Sequence, residues 1–165
     1  MDGVRSAERD AGGLPFTDAA RRLLADAQEE SGRLRHEAVG TEHLALALAR
    51  RSADAPGLAG LGGVAGLGVD WARMRARIDE TVTPGRFARA PAEPPPYTSR
   101  TRRVFALAGE GARALGHARV GVEHLVLGLV RERMGVGAQV LAEHGRTEQA
   151  ALVLAQRTAA GGGWP

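Results

Sequence analysis

Neither cysteine nor lysine occurs anywhere in this 165-residue chain. Without cysteine there is no disulfide framework, no thiolate nucleophile and no zinc–thiolate site. That usage fits a reducing compartment, and a cytoplasmic location is expected. Without lysine the phosphate-cradling loop G-x-x-x-x-G-K-[ST] cannot be written, so the chain is not by itself a P-loop ATPase. Aromatic residues make up only 4% of the chain, so its core must be built from Leu, Val and Ala. No apolar run reaches the roughly 18 residues of a membrane span. The opening residues, MDGVRSAERDAGG, lack the apolar segment of a secretion signal. A one-signed charge surface is missing as well. All 22 basic residues are arginine, which lifts the pI to about 10.7 while the net charge is only +3. Acidic residues are interleaved with the arginines throughout, which reads as solvated helix faces rather than a nucleic-acid stripe.

What is present is one phrase written twice. Residues 16–48 read FTDAARRLLADAQEESGRLRHEAVGTEHLALAL, and residues 97–129 read YTSRTRRVFALAGEGARALGHARVGVEHLVLGL. Without a gap, Phe16 falls on Tyr97, Thr17 on Thr98, Arg22 on Arg103, Leu34 on Leu115, His36 on His117 and Gly40 on Gly121. Glu42-His43-Leu44 falls on Glu123-His124-Leu125. A duplicated unit with pseudo-twofold organisation follows, and a site in one half should have a partner in the other.

Residues 1–13 are polar and are expected to form a loose tail. Thr17 and Asp18 open a helix, one as cap and the other at the positive end of the helix dipole. Ala20, Leu23, Leu24, Ala27 and Leu34 keep helical spacing along it. A second, nearly all-apolar helix runs from Gly40-Thr41 to about Arg51. Residues 57–68, GLAGLGGVAGLG, hold six glycines and are weak helix material, since each glycine costs ~1 kcal/mol against alanine. Asp70 caps a helix to about Val82. Residues 84–96, PGRFARAPAEPPP, hold five of the eight prolines and read as a stiff, extended linker. The second half gives helices over Thr98–Leu115, Val122–Arg133, Val136–His144 and Thr147–Arg157. The closing residues, 159–165, are expected to be a second loose tail. No period-two alternation appears, so the expected fold is all-α. It consists of two four-helix repeats, 14–83 and 97–158, joined by the Pro-rich linker.

Several motifs are false friends. Gly60-Leu61-Gly62-Gly63-Val64-Ala65 matches a relaxed dinucleotide pattern but lacks the strand and parallel sheet that the pattern needs. His36-Glu37-Ala38-Val39-Gly40 starts like a metalloprotease helix and has glycine where the second histidine belongs. His36/His43 and His117/His124 are repeated pairs without a third ligand, and are expected to hydrogen-bond at helix ends rather than hold a metal. Ser31 and Ser99 have no repeated nucleophile–base partner, so no catalytic residue and no cofactor is expected. The positive signal is Thr17 with Glu42, repeated as Thr98 with Glu123. A helix start with a hydroxyl offers an anion nest, and a first-turn glutamate can accept two hydrogen bonds from a guanidinium. Ordinary capping and dipole complementation explain the same residues, and both readings stand at this point.

The phrases FTDAARRLLADAQEE, VGTEHLALAL and YTSRTRRVFALA…LGHARVGVEHLVLGLVRERMGVGAQVL resemble the N-terminal repeat domain of Clp ATPases, most of all the ClpC type. The resemblance covers about residues 14–158. It implies a pseudo-twofold all-α double repeat that docks adaptors and substrates for an unfoldase feeding a protease. In some bacteria such domains read phosphoarginine. By resemblance, Glu42 and Glu123 would take the guanidinium and Thr17 and Thr98 the phosphate. Thr41, with Val122 in its place in the second half, would complete the pockets. The ATPase modules are not in the sequence, so a stand-alone binding module is expected, and unfolding activity is not implied. The alternative is a decoy for the small cyclic-peptide antibiotics that target such domains. Gly13 and Leu14 stand where the family has an aromatic residue before the first FT phrase, which weakens any ligand that stacks there. No nucleic-acid or membrane partner is expected.

Overall fold

The computed structural model describes residues 2–54, 69–87, 94–145 and 147–160. These residues form eight helices: α1 (Asp2–Asp10), α2 (Asp18–Arg33), α3 (Thr41–Asp54), α4 (Trp71–Thr81), α5 (Ser99–Ala114), α6 (Val122–Glu132), α7 (Val136–Glu143) and α8 (Glu148–Ala160). The all-α reading holds. None of these helices is long and apolar enough to cross a membrane.

Local chemistry sets the helix ends. The Oγ1 of Thr17 accepts from the Ala20 N–H and that of Thr98 from the Thr101 N–H, each at 3.2 Å. Asp70 caps α4 by accepting from the Arg73 N–H at 3.0 Å. These side chains satisfy donors that a helix start leaves open. The six-glycine stretch over 57–68 lies outside the described residues, as do 88–93 of the expected linker and 161–165 of the closing tail. The start of that linker is docked: the Gly85 N–H donates to Leu34 O at 2.8 Å and the Phe87 N–H to Arg35 O at 3.0 Å.

The core lies in one continuous cluster drawn from both halves. Leu44, Leu48, Leu125 and Leu129, the apolar faces of the two GxEHL helices, are all buried. Phe105 ties the halves together, edge-on to both Phe16 (centroids 5.9 Å apart) and Tyr97 (4.9 Å). Two isolated parallel bridges cross between the repeats, Phe16 with Val120 and Val39 with Tyr97. The repeat register maps Phe16 onto Tyr97 and Val39 onto Val120, so the two bridges are images of each other.

The expected loose tail over 1–13 is corrected. Asp2–Asp10 is helical and packs along α5, with Ala7 and Ala11 fully buried. Gly109 makes this approach possible: a Cβ there would lie 2.1 Å from Ala11 O. Around that contact, the carboxylate of Glu8 accepts from the Phe16 N–H at 3.0 Å, and Arg102 pairs with Asp10 at 3.0 Å. Too few apolar residues mark this helix in its own sequence, and its partner lies in the other half.

Candidate functional site: two helix mouths shared between the halves

The GxEH phrase has a physical explanation in each copy. Glycine occupies the position before the helix because the glutamate carboxylate folds back over it. A Cβ on Gly40 or on Gly121 would sit 2.4 Å or 2.3 Å from the nearest carboxylate oxygen of Glu42 or Glu123. The histidine on the third helical position reaches back in turn. His43 Nδ1 accepts from the Gly40 N–H at 2.7 Å, and His124 Nδ1 accepts from the Gly121 N–H at 2.9 Å.

That bond fixes the tautomers. With Nδ1 accepting, the Nε2–H of His43 donates to His36 Nδ1 at 2.8 Å, and the Nε2–H of His36 then donates to Thr83 O at 2.9 Å. The second half repeats the first two links, His124 Nε2–H reaching His117 Nδ1 at 2.7 Å, but His117 Nε2 is buried with no partner among the described residues. Burial pushes both inner histidines down to a pKa of about 4, with the second histidine of each pair adding to the effect. They are neutral at pH 7. The proximity of His124 Nδ1 to the Glu123 carboxylate, 3.3 Å, is therefore not an ion pair. Each trio, His36/Glu42/His43 and His117/Glu123/His124, brings ligand-type atoms within 4.8 Å of one another. A cation there would have to displace the hydrogen bonds that both nitrogens of the inner histidine already make.

The two glutamates differ. The Glu42 side chain keeps about 20% of its surface exposed. Glu123 is 6% exposed, and its Oε2 has no hydrogen-bond partner among the described residues. Desolvation raises the Glu123 pKa, opposed by a bond from its own backbone N–H. Thr41 and Val122, expected among the ligand contacts, are both buried. The Thr41 hydroxyl is spent on packing, accepting from the Gly137 N–H at the start of α7 at 3.3 Å.

The threonines pair with the opposite partners from those the sequence suggested. The Thr17 N–H donates to Val120 O at 3.0 Å, and the Thr98 N–H donates to Val39 O at 3.0 Å. Thr17 therefore stands beside the chain entering α6 and Glu123, while Thr98 stands beside the chain entering α3 and Glu42. Each mouth combines the long-helix start of one half with the GxEH start of the other. The sequence carried every one of these residues but not the exchange, because proximity along the chain favoured pairing within a half. Reasoning from sequence also missed Thr101, whose buried hydroxyl donates to Val39 O at 2.8 Å and clamps one mouth.

A pseudo-twofold, all-helical double repeat with paired GxEH mouths defines a class, and comparison with known proteins names it. The family model of the Clp repeat N-terminal domain matches residues 15–144. The chain belongs to that family. It is 38% identical over 126 residues to the chaperone protein ClpB of Oceanobacillus iheyensis. It is equally identical, over the same length, to the negative regulator of genetic competence ClpC/MecB of Bacillus subtilis. Each match covers 76% of this chain and 15% of the relative, so the chain spans about a seventh of the length of those proteins. Its structure is similar to the N-terminal domain of the chaperone ClpD from Arabidopsis thaliana. The TM-score is 0.63 at 24% identity, covering 89% of this chain and 95% of that one.

Proposed function

We propose that the protein is a non-enzymatic binding module of a cytoplasmic Clp unfoldase/protease system, and that it recognises protein substrates, adaptors or phosphoarginine through the two shared mouths. The observation that carries this reading is Glu123. A carboxylate held at 6% exposure with one oxygen unpartnered is costly to keep. A guanidinium entering the mouth supplies the missing donors, and the helix start beside Thr17 suits the attached phosphate. Glu42 beside Thr98 offers the same chemistry in a more open setting.

Titration calorimetry with free phosphoarginine tests the reading. The expected result is binding by the wild type, weakened in Glu42→Ala or Glu123→Ala and lost in the double variant. Absence of binding by the wild type removes the phosphoarginine version. A pull-down that recovers neither a Clp subunit nor an adaptor counts against the wider one. The decoy alternative separates by a different readout: deletion would sensitise cells to cyclic-peptide antibiotics without changing protein turnover.

A further inference from the structure

Helix α1 behaves as a bound ligand of the rest of the chain. It runs beside α5, with Gly3 near Tyr97 at one end and Ala11 over Gly109 at the other. Its apolar contribution is small: Ala7 and Ala11 are buried and Val4 is half-buried. Charge supplies the remaining hold. Glu8 pairs with Arg21 at 3.0 Å and Asp10 with Arg102 at 3.0 Å, while Arg113 donates to Ala11 O at 3.0 Å. Both ion pairs involve arginines that are about half exposed, so salt screens them. A nine-residue helix has little stability of its own. It ends in a glycine cap, with Gly12 and Gly13 both at positive φ (76° and 83°) and their N–H groups donating to Arg9 O at 3.0 Å and Glu8 O at 2.8 Å, a turn that glycine adopts without strain. These features place α1 at the easily opened end of the molecule.

Beneath α1 lies a trough that the pseudo-twofold does not repeat. Gly109 forms its floor, and the matching position in the first half is Gln28, whose side chain instead reaches the Tyr97 hydroxyl at 3.3 Å. Three guanidinium groups, those of Arg21, Arg102 and Arg113, border the trough. Its present occupant shows what it accepts: a helix with small residues at four-residue spacing and carboxylates at the flanks.

We propose that α1 is a displaceable internal occupant of a docking trough along α5, and that the trough's partner is an acidic helical segment of another protein with small residues facing Gly109. When α1 swings out, the Phe16 N–H, the three arginines and the trough floor become available together. The partner competes with α1 for the same contacts. This reading is independent of the glutamate mouths.

The test uses the full-length protein and a fluorescein-labelled peptide of residues 2–14 as the probe, with binding read by anisotropy. Weakening the internal occupant with Glu8→Gln and Asp10→Asn in the protein should tighten peptide binding by ~10-fold or more, since the competent state no longer has to be opened first. Tying α1 down with a reducible bismaleimide cross-link between Gly3→Cys and Gln28→Cys should abolish binding, and reduction should restore it; a Gly3 Cβ would lie 3.0 Å from the far end of the Gln28 side chain, so the two positions are within a short linker's reach. Filling the trough with Gly109→Leu should abolish binding whether or not the cross-link is present. A peptide carrying Gln and Asn at its own Glu8 and Asp10 positions should bind more weakly than the acidic one, and the difference should shrink in high salt. Equal binding by the weakened, locked and filled proteins overturns the proposal. Equal binding of the acidic and neutral peptides overturns the charge assignment. A swapped dimer of the weakened protein, seen by light scattering, would make the trough a self-association site and overturn the partner reading.

Discussion

His43 and His124 are kept neutral by burial, each with a pKa pushed down to about 4 against an ordinary 6.5. The unfolded chain therefore binds more protons than the folded one below pH 6.5. Stability is complete above that value and drains away as the pH falls towards 4. Each pKa unit corresponds to about 1.4 kcal/mol, so thermal unfolding should occur several degrees lower at pH 5 than at pH 7.5. The double variant His43→Gln/His124→Gln should lower the plateau and flatten this slope. Glu123 has the opposite sign. Its folded-state pKa is raised by desolvation, so the advantage of its protonated form is present below the ordinary value of 4.5 and lost as the pH rises through the folded one. Its charge at pH 7 is a cost, and Glu123→Gln should stabilise the free protein there, measured by thermal melting, with no gain at pH 4. The same substitution should weaken ligand binding. A stabilising change that weakens binding would mark Glu123 as a residue retained for recognition rather than for the fold.

Among the elements, legibility in the sequence followed apolar content. The helix over Trp71–Thr81 could be read because Asp70 marks its start and Met74 and Ile78 line its buried face. The second-half helices could be read because their apolar spacing is dense. Helix α1 could not, since its packing partner is α5, nearly a hundred residues away, and the fully buried residues it brings there, Ala7 and the adjoining Ala11, are small. Close approach is equally invisible in a single sequence. Gly128 lies against α5 so tightly that a Cβ would stand 2.4 Å from Val104 O, whereas the first half has Ala47 at the matching position. Gly128→Ala should therefore destabilise by roughly 1–3 kcal/mol through overpacking, read from chemical denaturation. Large-to-small changes on the same helices act through the opposite defect. Leu44→Ala or Leu125→Ala should cost ~2–5 kcal/mol by leaving a cavity, without altering the charged residues of either mouth.

On the scale of the whole molecule, the duplication could be read from the sequence and its interlocking could not. The expected pairs, Thr17 with Glu42 and Thr98 with Glu123, follow the chain. The observed bonds, Thr17 to Val120 and Thr98 to Val39, cross between the halves, because each half satisfies the backbone ahead of its long helix with the carbonyl of its twin. With the shared core, this predicts one cooperative unfolding transition. Fragments 1–87 and 94–165 expressed separately should each show little helicity by circular dichroism, and mixing them should restore it. Independent folding of either fragment would sink this expectation. The crossed bonds also constrain how the two copies diverge. A substitution ahead of Gly40 or ahead of Gly121 alters an opening that the other copy shares. Neither copy is free to specialise alone, and an ancestor of half this length would have needed to meet itself, as two separate chains, before it had any opening to offer.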